Sequence, residues 1–214
     1  MKKNILIVLL IVLALYGRSF AQTGQRITLE EPRKTGGMPL MEALDNRQSI
    51  RSFSRDELSS QDLSNLLWSA FGINREDGRR TAPSARNWQP FDIYLIMADG
   101  WYVYEPTDHS LIRLGEEDLR EYAGGQDFVR TAPVNLFYVS DYERISAVRP
   151  EMRELHSATD VGFIAQNVYL FCASEGLATV VRGAIDRDML HEVLNLRPEQ
   201  RVILGQTVGY PDSR

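Results

Sequence analysis

Residues 157–175 constrain the fold more than any other part of the chain. Val161, Ile164, Ala165, Val168, Phe171 and Cys172 recur there at helical spacing and share one broad face. Gly176 follows directly, as the residue that ends such a helix in a left-handed turn. A helix apolar over so wide a face belongs at the centre of a protein. It also carries more apolar surface than one small domain need cover, which predicts a contact between two copies of the chain.

The rest of the pattern surrounds this helix without strict strand–helix–strand alternation. Residues 40–44 predict a short helix. Ser59, with Asp62 three residues on, predicts the start of another, which runs through Leu63, Leu66, Leu67 and Ala70 and stops at Gly72. Residues 91–98 read as a strand. Residues 101–104 and 111–114 flank a loop containing Pro106 and Asp108 and predict a hairpin. Residues 134–140 are apolar almost throughout and predict a central strand. A short helix over 186–195 and a last strand over 201–209 complete an α+β layer fold.

The N-terminus reads as an address rather than as structure. Lys2 and Lys3 precede the apolar run 5–15, and Ser19, Phe20 and Ala21 supply a cleavage site, so residues 1–21 are expected to be a signal peptide. The run is shorter than the roughly 20 residues a membrane span needs, so no stable membrane insertion is expected after cleavage. Residues 22–37, with Pro32, Gly36 and Gly37, are expected to be a flexible leader or an arm, and 38–214 the folded domain.

Charge and cysteine usage exclude several classes. Of 24 Lys and Arg, Lys2, Lys3 and Arg18 fall in the signal peptide, against 29 Asp and Glu in the remainder. So acidic a protein repels nucleic acid and anionic membranes. Cys172 stands alone, which rules out an internal disulfide and a Cys-based metal site, and His109, His156 and His191 show no ligand spacing. No nucleophile elbow, Walker loop, dinucleotide fingerprint or zinc-protease motif is present.

Three segments carry candidate chemistry. In the first, Arg47, Ser49 and Arg51 alternate along an extended stretch and point the same way. Guanidinium forks match phosphate oxygens, although a solvated basic turn paired with Glu42 or Asp45 would read the same. In the second, Pro83, Ser84, Ala85 and Asn87 precede a strand and offer small side chains and amides to a planar ligand, or form an ordinary loop. In the third, Arg182 and Gly183 follow an extended run, where a glycine lets backbone N–H groups approach a ligand, or where a strand simply ends.

In this order and spacing the three segments resemble the nitroreductase family. The resemblance rests on RxSxR, on PSxxNxQPF before a long strand, on a central helix carrying Gln166 and Asn167 and ending at Gly176 and Leu177, and on the turn at Gly183. It spans roughly residues 40–211. Residues 100–106, His109, Leu111, Gly125 and Gln126 look like those of the azoline dehydrogenases of peptide-toxin biosynthesis. The resemblance implies a mixed β-sheet flanked by helices, a homodimer with the central helix at its interface, and two FMN molecules between the subunits.

The roles it implies follow residue by residue. Arg47 and Ser49 would hold the FMN phosphate, and Arg51 the pyrimidine edge of the ring. Pro83, Ser84, Ala85 and Asn87 would line the ring and ribityl chain, largely from the partner subunit. The backbone N–H of Arg182 or Gly183 would donate to flavin N5. Gln126 is a further candidate for the pyrimidine edge, and Arg214 is the one basic residue available near the C-terminus for the phosphate.

Because the cofactor carries the electron step, no catalytic side chain is implied. Three functions remain open at this point. One is a ping-pong reductase that takes electrons from a small-molecule donor and passes them to a nitro compound, quinone or other acceptor. Another is an azoline-type dehydrogenase, whose Lys–Tyr pair has no counterpart here: Tyr142, Glu143 and Arg144 occupy that region, and no lysine follows Lys34. The third is a non-catalytic flavin-binding protein outside the cytoplasm.

Overall fold

The computed structural model describes residues 24–212, so the expected signal peptide and Arg214 lie outside the described residues. Seven strands form one sheet: β1 (Arg26–Thr28), β2 (Phe91–Met97), β3 (Gly100–Glu105), β4 (Ser110–Gly115), β5 (Val134–Asp141), β6 (Ala178–Arg182) and β7 (Gln200–Gly209). Their order is β1-β4-β3-β2-β5-β7-β6. Every pairing is antiparallel, which corrects the mixed sheet implied by the resemblance. Among the described residues four α-helices accompany the sheet: α1 (Leu40–Asn46), α2 (Ser60–Phe71), α3 (Pro150–Glu175) and α4 (Arg187–Val193). The α+β class stands.

Both faces of the sheet are covered, which is why β5 is buried at every position and reads as a continuous apolar run. On one face Leu136, Tyr138, Ile93 and Leu95 pack against Val161, Ile164, Val168 and Cys172 of α3 and Leu66 and Leu67 of α2. On the other, Phe137, Val139, Tyr94 and Ile96 pack against Leu190 and Leu194 from the α4 region and Ala123 and Val129 of the 120–130 segment. The alternation along β2 and β5 divides the side chains between these two layers.

Helix ends follow local chemistry. Ser59 caps α2 by accepting the Asp62 N–H, and Gly176 ends α3 in the left-handed conformation at φ 69°. Helix α3 begins two turns before residue 157, with Pro150 in its first turn, where a missing N–H is no loss. Its opening turns are polar and carry no apolar stripe, so periodicity did not reveal them.

The stretch expected as a flexible leader or arm instead holds β1. Arg26, Ile27 and Thr28 pair with Ile112, Leu111 and Ser110, and Arg26 pairs with Asp108. Ile27 and Leu29 pack on the core, so a short, mostly polar segment is ordered by its edge position rather than by its composition.

Candidate functional site

Helix α1 releases the chain at Arg47, and residues 47–51 run extended beside β6. The Ile50 N–H donates to the Thr179 carbonyl at 3.0 Å, fixing the stretch to the sheet edge. The Arg47 guanidinium lies over the Tyr169 ring at 5.3 Å. Ser49 Oγ is 2.8 Å from Tyr169 Oη, and the Val181 N–H donates to the same oxygen at 3.0 Å. One phenol from α3 therefore joins the first and third candidate segments.

Arg47 and Arg51 make no ion pair with Glu42 or Asp45, nor with any other carboxylate among the described residues. The basic turn is not neutralised from within. Just beyond β6, a Cβ at Gly183 would meet nothing nearer than Leu204 at 3.9 Å, so the backbone there borders open space. Donors without partners beside accessible backbone suit an anionic, flat-ringed ligand.

The Pro83–Asn87 segment sits elsewhere on the same helix. Ala85–Asn87 form a 3-10 turn, and Arg86, Asn87 and Gln89 all have left-handed φ, at 49°, 57° and 48°. Three such non-glycine residues within four positions are costly and persist only where the surroundings hold them. The hold is visible. The Ala85 N–H donates to both carboxylate oxygens of Asp160 at 3.3 Å, and the Gln89 N–H donates to Ser84 Oγ at 2.9 Å. Burial raises the Asp160 carboxyl above its ordinary value, and the Ala85 N–H and His156 partly offset this.

Asp160 and Tyr169 are nine residues apart on α3, which separates their turns by about 14 Å along the axis. Within one chain, Arg47 and Ser49 meet Tyr169 beside the strand that leads to Arg182 and Gly183, and Arg51 stands exposed two residues beyond Ser49, while Pro83, Ser84, Ala85 and Asn87 form a second cluster further along. Gln126 belongs to neither surface in full: its Oε1 is enclosed without a hydrogen-bond partner, next to Gly124 and the Arg182 guanidinium.

Tyr169, Asp160 and the Arg182 side chain were not singled out in the sequence. Tyr169 lies off the apolar stripe of its helix, and a lone tyrosine between Val168 and Leu170 carries no motif. The region of Tyr142, Glu143 and Arg144 is occupied by ion pairs. Arg144 holds Asp92 at 2.9 Å, and Arg197 bridges Glu143 at 2.5 Å and also Asp141.

This α+β fold, with a polar junction where α3 meets β6, is that of an oxidoreductase. The sequence model of the nitroreductase family matches residues 44–210, and the chain belongs to that family. A nitroreductase-type protein of Methanocaldococcus jannaschii is 34% identical over 168 residues, 74% of this chain and 85% of that protein. A solved nitroreductase-type structure from Ralstonia eutropha is 43% identical with a TM-score of 0.84, covering 88% of this chain and 90% of that one. The NADPH-flavin oxidoreductase of Vibrio harveyi is 30% identical over 115 residues, about half of each chain.

Proposed function

We propose that the protein is an exported, homodimeric FMN-dependent reductase that moves electrons from a small-molecule donor to a small acceptor of the nitro or quinone type. The observation that carries this is the Tyr169 junction. It sets Arg47 and Ser49 against the end of β6, so that a phosphate-binding edge and an open backbone at Gly183 share one surface. The residues present fit FMN: two unpaired guanidinium groups and a hydroxyl for its phosphate and pyrimidine edge, and a glycine that leaves room for its ring.

FMN, when bound, accepts and releases the electrons. The chain's own residues bind and orient. Arg47 and Ser49 anchor the phosphate through charge-assisted bonds. Arg51 places a cation at the pyrimidine edge. The strained Pro83–Asn87 turn of a second copy closes the site, because its own copy holds it about 14 Å along the helix from Tyr169. Exposed Leu40, Met41, Leu44, Leu155 and Phe163 on α1 and α3 give that second copy an apolar surface to cover.

Residues 1–21 support export. Outside the cytoplasm reduced nicotinamides are scarce, so an electron carrier of the envelope is the fitting donor. Glu143 and Arg144 are engaged in ion pairs, and no lysine stands beside Tyr142 to complete a Lys–Tyr pair of the azoline-dehydrogenase type.

The deciding measurement is the absorbance of the purified protein, with identification of whatever is released on denaturation. A yellow protein releasing FMN, and turning over with a reductant and a quinone or nitro acceptor, is expected. A colourless protein that takes up no added FMN overturns the assignment. Bound FMN without turnover would make this a flavin carrier.

A further inference from the structure

Arg182 is the only arginine in the buried class among the described residues, at 3% exposure. No carboxylate compensates it. Its Nη1 donates to the Ala123 carbonyl, its Nη2 donates to Asn135 Oδ1 at 3.2 Å, and its plane lies over the Phe137 ring at 5.7 Å. Its Nε has no hydrogen-bond partner among the described residues.

The chain makes room for this charge. A Cβ at Gly124 would stand 2.5 Å from Nη1, and one at Gly205 would stand 3.1 Å from Nη2. Asn135 is itself fixed, accepting from Thr207 Oγ1 at 2.8 Å and donating to the Val129 carbonyl at 2.8 Å. A buried, unpaired guanidinium is costly, and a methionine of similar length would fill the space without that penalty. Burial lowers its pKa to about 10, so it keeps its proton at neutral pH.

We propose that the uncompensated charge of Arg182 raises the reduction potential of the flavin bound beside Gly183. The inference rests on the FMN reading above. Reduction delivers two electrons to the ring, and when fewer than two protons follow, the ring gains negative charge. A fixed cation in a low-dielectric interior favours that product over the oxidised form. The Arg182 side chain touches no reacting atom in this scheme. It is a positioning residue that acts through its field, immediately before the backbone that faces the flavin.

The test is anaerobic reductive titration of FMN-loaded protein with dithionite against a reference dye. Arg182→Met removes the charge. Asn135→Asp leaves Arg182 in place and neutralises it with a carboxylate at the Oδ1 position, so it decides the matter if Arg182→Met does not fold. Both are expected to lower the ratio of reduced to oxidised flavin at a given potential by tenfold or more, about 30 mV per tenfold for a two-electron couple. Arg182→Lys at pH 6, where lysine holds its charge, is expected to stay within about threefold of the wild type. If flavin-loaded Arg182→Met and Asn135→Asp keep the wild-type potential, Arg182 only braces the 120–130 segment and the inference is overturned. A wild-type chain that takes up no FMN overturns the site reading instead.

Discussion

Tyr169 Oη lies 2.8 Å from Ser49 Oγ while accepting the Val181 N–H at 3.0 Å. Tyr169→Phe removes both interactions and keeps the ring that packs under Arg47. A neutral hydrogen bond is worth roughly 0.5–1.5 kcal/mol, so FMN affinity should fall by about threefold to tenfold. Arg47→Ala removes charge-assisted bonds of roughly 1.5–3 kcal/mol and should weaken FMN by about tenfold to a hundredfold, with apo-protein stability little changed. Fluorescence titration with FMN and thermal melts of the apo form measure both. Unchanged affinity in Arg47→Ala would reduce Arg47 to a surface charge stacked on a tyrosine.

A second copy is required if the two clusters on α3 serve one ligand. Met41 is 75% exposed and Phe163 44% exposed, on the two helices that also expose Leu40, Leu44 and Leu155. Met41→Asp combined with Phe163→Glu should therefore yield a monomer by sedimentation at low micromolar concentration, and that monomer should retain no FMN. A monomeric double variant that still binds FMN tightly would show that a single chain completes the site.

The parts legible in the sequence were those with local causes. Ser59 with Asp62, Gly72 and Gly176 fix helix ends through backbone hydrogen bonds a few residues away, and each lies where the pattern placed it. The apolar run of β5 announced a strand covered on both faces. The start of α3 at Pro150 did not show, because its polar first turns pack little and obey no period. Strand β1 did not show because its order comes from β4, some 80 residues away. In the site, Arg47, Ser49 and Gly183 were legible as motif positions. Tyr169, which joins them, was not, because its role arises only when α3 crosses the end of β6. Arg182 was legible only as backbone, since the pocket that encloses its side chain is assembled from residues 123–137 and Gly205.

His109 should make stability depend on pH. Ser64 Oγ donates to the Glu30 carbonyl at 2.5 Å, so it must accept from His109 Nε2, 2.8 Å away. His109 Nδ1 is then left to accept from Tyr104 Oη at 2.8 Å. This arrangement holds a neutral ring, and burial, only partly opposed by Glu31, lowers the pKa below 6.5. The unfolded chain binds the proton more readily, so this contribution is full above about pH 6.5 and is lost as pH falls towards the folded value. The ring is only half buried, so the slope should stay well under the one-proton limit of about 1.4 kcal/mol per pH unit. Urea melts of the wild type and His109→Gln from pH 7.5 to 5 should show a shallower decline in the variant. Parallel declines would mean that His109 does not titrate differently on folding.

Cys172 is the chain's single cysteine, and in an oxidoreductase it invites a redox role. Its surroundings argue for packing. It is fully buried with Val168, Ile164, Tyr138 and Leu136, and burial pushes the thiol pKa far above its ordinary value. Thr179 eases that shift only in part. A thiol so enclosed is not ionised at neutral pH and is neither a nucleophile nor an electron relay. No second cysteine exists to resolve an oxidised form. In an apolar core it behaves as a small hydrophobe. Cys172→Ala should leave turnover within about threefold and lower stability by roughly 1 kcal/mol through the small cavity it opens. Cys172→Ser separates the two roles further. It keeps the shape and puts a hydroxyl into an apolar core, so it should destabilise more than alanine does while turnover of the folded fraction persists. Loss of turnover in folded, FMN-loaded Cys172→Ala would show that the thiol takes part in electron transfer after all.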